Sequence, residues 1–295
     1  MTTNLQQAFE WALVQLQELG GLQDVTPRVD AEWLLTHVLQ CSRSRLITHP
    51  DEALTEQQWQ IFQRLIKRRQ TGEPVAYITG TRGFWSLDLL VTPDVLIPRA
   101  DTELLVEQVL ALADNSQALT LADMGTGSGA IALAVASERP AWRVLAADAS
   151  AAALAVAKQN AYLNNLSGVE FYQGDWCQAL PDSLLLDVLV SNPPYIEPGD
   201  PHLLQGDLRF EPISALAAQD GGVRDLAVLT EQSVSRLKPG GWLLFEHGYD
   251  QGAAVRELMA GHGFKQISTQ RDLGGQERVT LGRRVPAASE DADNE

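Results

Sequence analysis

Leu119-Thr120-Leu121-Ala122-Asp123-Met124-Gly125-Thr126-Gly127-Ser128-Gly129-Ala130 runs from an apolar strand pattern through a loop with glycine at alternate positions into a helix pattern. Glycines so placed let the chain turn sharply and let a ligand approach the backbone closely, while the start of the helix offers free N–H groups. The next strand ends at Asp148, a carboxylate suited to accept hydrogen bonds from two ribose hydroxyls. Loop and acid together point to a nucleoside cofactor.

Two cofactor classes fit. The dinucleotide fingerprint G-x-G-x-x-G/A can be laid on Gly125, Gly127 and Ala130, which keeps a nicotinamide enzyme open. The tighter series Gly125-Thr126-Gly127-Ser128-Gly129, with Asp123 two residues ahead of it, looks more like the S-adenosylmethionine methyltransferases. Their cofactor has no pyrophosphate but carries a charged amino acid and a sulfonium, for which a nearby carboxylate makes sense. After the third strand, Asp175 is placed to accept from an adenine amino group and Trp176 to stack on its ring. The competing reading of Trp176 is a core aromatic.

Outward from the loop, helix and strand patterns alternate. Helices are predicted over residues 101–113, 130–137, 151–164 and about 226–237, and strands over 119–124, 143–147, 169–172, 185–191 and 242–246. Residues 265–270 and 277–281 read as a closing hairpin. Repeated β-α-β units predict an α/β fold with a mostly parallel, doubly wound sheet and an antiparallel end.

Asn192-Pro193-Pro194-Tyr195 directly follows the strand at 185–191. In doubly wound sheets the carboxyl ends of the strands carry the ligand crevice, so this tetrapeptide is expected to face the cofactor. Two prolines supply carbonyl acceptors without backbone donors and hold the chain rigid. The Asn192 side-chain oxygen and the Pro193 carbonyl could then accept both hydrogens of a planar –NH2 group, with Tyr195 as a stacking face. An Asn-Pro turn is the plainer alternative. His202 and His247 lie nearby in sequence, but neither reads as an activating base, so the catalytic strategy is expected to be orientation, with Asn192, Pro193 and Tyr195 carrying it and no metal.

Residues 1–74 read as an all-helical domain. Leu5, Phe9, Leu13 and Leu16 mark a first helix ended by Gly20-Gly21, Thr26-Pro27 starts a second, and Thr55-x-x-Gln58 is a capping box for a third. The cluster Arg64, Lys67, Arg68 and Arg69 is taken as a solvated helix end complementing the dipole, with a docking patch for an anionic partner as the alternative. Residues 75–98 are read as a linker of strand-like pieces, 76–78 and 84–89, forming a hairpin. Residues 99–284 make the catalytic domain, and 285–295, with four acids and no base after residue 288, an acidic disordered tail. Gly274-Gly275-Gln276 reads as a hairpin turn.

The composition agrees with this division and limits the partners. Two domains suit 295 residues. With 22 Lys and Arg against 38 Asp and Glu, the net charge is −16, a poor match to sequence-independent binding of nucleic-acid backbone. Cys41 and Cys177 form no C-x-x-C pair, and no uncharged apolar run is long enough to span a bilayer. A monomeric cytoplasmic protein that binds neither DNA nor membrane is expected.

The paired motifs Asp-x-Gly-x-Gly-x-Gly and Asn-Pro-Pro-Tyr are shared by many enzymes that methylate planar nitrogens, nucleic-acid amino methyltransferases among them. The resemblance narrows with Ile97-Pro98-Arg99-Ala100-Asp101-Thr102-Glu103, Phe84-Trp85-Ser86, residues 206–212 and Glu277-Arg278-Val279-Thr280-Leu281-Gly282. With the helical N-terminus, these are similar to the HemK/PrmC family, the peptide chain release factor N5-glutamine methyltransferases. The resemblance covers about residues 5–284 and implies a class I (Rossmann-like) methyltransferase sheet preceded by a substrate-recognition domain. It implies methyl transfer from S-adenosyl-L-methionine, leaving S-adenosyl-L-homocysteine, to the glutamine of the Gly-Gly-Gln motif of class I release factors. Carried over by position, cofactor contacts fall on Gly125, Thr126, Gly127, Ser128, Gly129, Asp148, Trp176 and Asn192, to which the reading of the residues themselves adds Asp123 and Asp175. Substrate contacts fall on Asn192, Pro193, Pro194, Tyr195 and the supporting Arg99. The family more usually has proline where this chain has Ala100.

Overall fold

The structure, a computed structural model, describes residues 3–17, 26–114 and 116–285. The predicted glycine stop at residues 20–21 and all but the first residue of the tail lie outside these. Contacts divide the chain into two compact units. One comprises the described residues up to Thr81 with Asp200–Glu211, and the other Arg82–Gly199 with Pro212 onward.

The first unit is built from α1 (Leu5–Gln17), α2 (Pro27–Leu39), α3 (Arg43–Thr48), α4 (Glu56–Gln70) and α5 (Val75–Thr79). Its apolar faces meet in one core, where Leu5, Ala8, Ala12 and Leu16 pack with Leu34, Leu35, Phe62 and Ile66. The capping box is present: Thr55 Oγ1 accepts from Gln58 N–H, and the Gln58 side chain accepts from Thr55 N–H. Pro27 opens α2 as expected, although the Thr26 side chain makes no capping bond.

Three expectations for this region need correction. Residues 76–78 are helical, part of α5, and not a strand piece. Burial of Tyr77 and Ile78 outweighs their strand propensity. The predicted strand 84–89 is two strands, β1 (Thr81–Phe84) and β2 (Leu87–Leu90), because the chain reverses at Trp85-Ser86, where Trp85 has φ +55°. Arg69 is not solvated. It is only 2% exposed, donating to Asp30 at 2.7 Å and Asp207 at 3.2 Å, whereas Arg64, Lys67 and Arg68 are exposed. Desolvation pushes the Asp30 carboxyl above its usual range even with the Arg69 hydrogen bond pulling it down.

The second unit holds a seven-stranded sheet of β3 (Thr120–Met124), β4 (Arg143–Asp148), β5 (Glu170–Gln173), β6 (Leu186–Ser191), β7 (Leu237–Glu246), β8 (Phe264–Arg271) and β9 (Glu277–Arg284). The strand order is β5-β4-β3-β6-β7-β9-β8, with β9 antiparallel to its neighbours β7 and β8 and the other pairs parallel. Side chains alternate between two cores. Leu121, Val144, Ala146, Val188, Val190 and Leu244 pack under α6 (Thr102–Ala111) and α7 (Ala130–Glu138), with Ala161 of α8 (Ala151–Leu163). Ala122, Leu145, Leu189, Leu243 and Phe245 face α9 (Arg224–Arg236) and α10 (Gly252–Gly261). The helix α10 was not anticipated, although Val255, Leu258 and Met259 carry its apolar spacing.

Breaking the buried pair by Arg69→Met strands the Asp30 charge and should cost about 3–5 kcal/mol in urea unfolding. Adding Asp30→Leu should recover most of that loss; full stability of the single variant would contradict the burial argument.

Candidate active site

The order β4-β3-β6-β7 makes β3/β6 the place where successive connections diverge to opposite sides, the usual crevice of an open parallel sheet. Met124 pairs with Ser191 at the carboxyl ends of these strands, and Ser191 Oγ donates to the Met124 carbonyl at 2.6 Å. The glycine loop leaves one strand and Asn192-Pro193-Pro194-Tyr195 leaves the other. Both motifs therefore emerge side by side.

At the end of β3, just ahead of the loop, Asp123 is fully buried. Its Oδ2 accepts from Thr126 Oγ1 at 2.6 Å and from Ala132 N–H at 3.2 Å, while Oδ1 has no hydrogen-bond partner among the described residues. Burial pushes its pKa up to about 7. Gly127 N–H donates to Asp148 at 2.9 Å and Ser150 N–H to its other oxygen at 2.8 Å, so Asp148 ties the loop to the end of β4. Each of its oxygens keeps a further lone pair for a ligand. Gly125 has φ +72°, and a Cβ there would stand 3.2 Å from the Trp176 ring, so the glycine makes room for the indole. Asn160, buried in α8, donates to the carbonyls of Ser128 and Leu90 and accepts from Leu90 N–H, anchoring loop and hairpin together.

A cavity of about 220 Å3 opens beside the loop. Gly125, Gly127, Asp148, Asp175, Trp176, Asn192 and Pro194 line it. Asp123, Thr126, Ser128, Gly129, Pro193, Tyr195 and Arg99 do not; Thr126, Ser128 and Gly129 build the loop itself, and Asp123 braces it. Asp94 and Asp225, which sequence reasoning did not single out, also line the cavity, and burial raises the Asp225 pKa. Four carboxylates and, among the described residues, no Lys or Arg face this space. A pyrophosphate would be repelled there and a cationic ligand attracted.

Asn192 donates through Nδ2 to Thr102 Oγ1 at 3.3 Å. Pro193 is buried and Tyr195 half-buried. Burial, with the negative Glu246 beside it, raises the Tyr195 pKa and keeps the phenol neutral. The Tyr195 carbonyl accepts from Gln251 Nε2 at 3.0 Å, and Gly222, at φ +78°, lies so close that a Cβ would collide with that carbonyl. The positive charge of Arg99 acts on Tyr195, favouring the ionised phenol. His247 is buried, its pKa lowered by burial, with Nδ1 engaged by the Gly248 carbonyl and Nε2 by Thr280 Oγ1, each at 2.8 Å. It is structural. Thr102, Gln251 and Gly222 were missed because their contacts are long-range. The Gly274-Gly275 pair forms the turn between β8 and β9, closed by Gly275 N–H to the Asp272 carbonyl at 2.9 Å.

Comparison with known proteins agrees in both halves of the chain. A family model described as the PrmC N-terminal domain matches residues 7–80, and one described as the methyltransferase small domain matches residues 100–205. The release factor glutamine methyltransferase of Xylella fastidiosa strain 9a5c is 52% identical over 256 residues, 87% of this chain and 93% of its own length. That of Escherichia coli K12 is 48% identical over 258 residues, 88% of this chain and 92% of its own. Among solved structures, a methyltransferase from Pyrococcus furiosus aligns with a TM-score of 0.53 at 16% identity, over 76% of this chain and 98% of that one. This last likeness concerns the fold alone.

The raised pKa of Asp123 makes the stability of the fold depend on pH. Between its ordinary value of 3.8 and about 7 the folded chain holds a proton that the unfolded chain has released. Its contribution to stability is therefore complete at low pH and lost as pH rises through about 7. Relative to Asp123→Asn, the wild type should lose stability to urea between about pH 4 and about pH 7 and level off above that. A constant difference over that range would mean that Asp123 titrates normally.

Proposed function

The chain belongs to the release factor glutamine methyltransferase family, and we propose that it methylates the side-chain amide nitrogen (N5) of the glutamine in the Gly-Gly-Gln motif of class I release factors, using S-adenosylmethionine. The observation that carries the proposal is the adjacency of an acidic, glycine-looped cavity and Asn192-Pro193-Pro194-Tyr195 at the ends of paired strands.

The residues present fit this cofactor. Asp148 has lone pairs left for two ribose hydroxyls, Trp176 offers an indole face for the adenine, and the acidic lining suits a sulfonium and an ammonium group. When bound, S-adenosylmethionine supplies an electrophilic methyl group. Asp123 acts indirectly, through the loop it braces.

An amide nitrogen is a weak nucleophile because its lone pair is delocalised. Asn192 Oδ1 and the Pro193 carbonyl accept the two amide hydrogens and so fix the plane and direction of the –NH2 group. Tyr195 stays protonated and His247 is committed at both ring nitrogens, so neither serves as a base. Positioning does the catalytic work and is worth on the order of 7–11 kcal/mol when reacting groups are well aligned.

The helical unit takes the role of gripping the release factor. It offers a recess of about 270 Å3 lined by Val29, Trp33 and Arg43, with Trp33 63% exposed, a surface suited to a protein partner.

Labelled methyl transfer to a release factor should disappear when its Gly-Gly-Gln glutamine is replaced; full labelling of that variant, or labelling only of nucleic acid, would refute the assignment. Asn192→Ala should lower kcat about 100-fold or more while leaving cofactor affinity within a few fold, since one transition-state contact is lost. Asp148→Ala should do the reverse and weaken cofactor binding about tenfold to 100-fold.

A further inference from the structure

The side chain of Asn192 has two nearly isosteric ends, and only one orientation presents an acceptor to a substrate –NH2 group. Behind Asn192, at the end of β7, the Glu246 side chain is 1% exposed, with its carboxyl in hydrogen-bonding reach of the Thr102 hydroxyl and the Asn192 side chain. Among the described residues its Oε2 has no hydrogen-bond partner. Nothing in the core packing requires an acid there, because β7 otherwise buries Leu243, Leu244 and Phe245.

We propose that Glu246 is a positioning residue for methyl transfer, holding the Asn192 amide through Thr102 so that Oδ1 faces the substrate glutamine. An ionised carboxylate only accepts hydrogen bonds. The single Thr102 hydroxyl hydrogen is therefore directed at Glu246, and its lone pairs are left to accept from Asn192 Nδ2, the 3.3 Å contact observed. Turning the amide over would set Asn192 Oδ1 against two acceptors while presenting a donor to the donors of the substrate. The proposal rests on the functional reading above and adds the group that makes its geometry unique.

Protonation of Glu246 removes the selection, since a carboxylic acid can donate to Oδ1 and tolerate the turned amide. Burial raises the pKa of this group to about 7, so the change falls in an accessible range. The charged and titratable groups around it are Arg278 on β9, which favours the ionised form, Asp101 before α6, which opposes it, and Tyr195 after β6. Arg99 acts by its charge on the neighbouring Tyr195.

The test is the pH profile of methyl transfer to a release factor at saturating cofactor, for wild type, Glu246→Gln, Thr102→Val and Thr102→Ser. Wild-type kcat should fall on the acid side with an apparent pKa near 7. Glu246→Gln should lower kcat at about pH 8 roughly tenfold to 100-fold, leave the cofactor Kd within a few fold and abolish that acid limb. Thr102→Val should lower kcat similarly, and Thr102→Ser, which keeps the hydroxyl, should restore it. A Glu246→Gln enzyme with wild-type kcat and the same acid limb overturns the proposal, as does equal loss of activity in both Thr102 variants. Should Glu246→Gln fail to fold, the Thr102 pair decides alone. A wild type that transfers no methyl group to the glutamine overturns the functional reading itself, a result distinct from all of these.

Discussion

Everything at the site depends on the parallel pairing of β3 with β6. The hydrogen bond from Ser191 to the Met124 carbonyl joins residues 67 apart in the chain and closes the strands at their carboxyl ends. Beyond it the two chains diverge, one into the glycine loop and one into Asn-Pro-Pro-Tyr. A slip of one residue in this register would turn the side chains of Met124 and Ser191 to the opposite faces of the sheet. The two apolar cores oppose such a slip, since Leu121 and Ala122 already belong to different ones.

Charge is the second constraint. The net charge of −16 includes four carboxylates gathered round the cavity, where they favour a cationic cofactor over a pyrophosphate. Two further acids, Asp123 and Glu246, are buried, each with one oxygen unpartnered among the described residues and a raised pKa. A folded chain tolerates such groups where they hold polar neighbours in place. Asp123 braces the glycine loop, and Glu246 stands behind Asn192.

Much of this was legible in the sequence because it is written locally. Alternation, glycine spacing and the Thr55 capping box each act within a few residues, so the succession of strands along the chain and the motif at Asn192 could be read directly. What escaped was long-range. Arg69 looks like one member of a basic helix end and is instead a buried cation paired with Asp30, 39 residues away. Tyr77 and Ile78 have strand propensity but are buried as part of a helix. Thr102 and Glu246 meet Asn192 only because α6, β6 and β7 are neighbours, which no local pattern announces. Within the cofactor loop, spacing identified the residues but could not separate Gly125 and Gly127, which line the cavity, from Asp123 and Thr126, which support them.

The central claim is that Asn192 and Pro193 hold the substrate amide by its two hydrogens. A crystal structure of the chain with S-adenosylhomocysteine and a Gly-Gly-Gln peptide tests it most directly. The account predicts the glutamine –NH2 between Asn192 Oδ1 and the Pro193 carbonyl, its nitrogen facing the sulfur, with Asn192 Nδ2 still on Thr102. A glutamine amide bound elsewhere, or bound through its carbonyl to a turned Asn192, would contradict it.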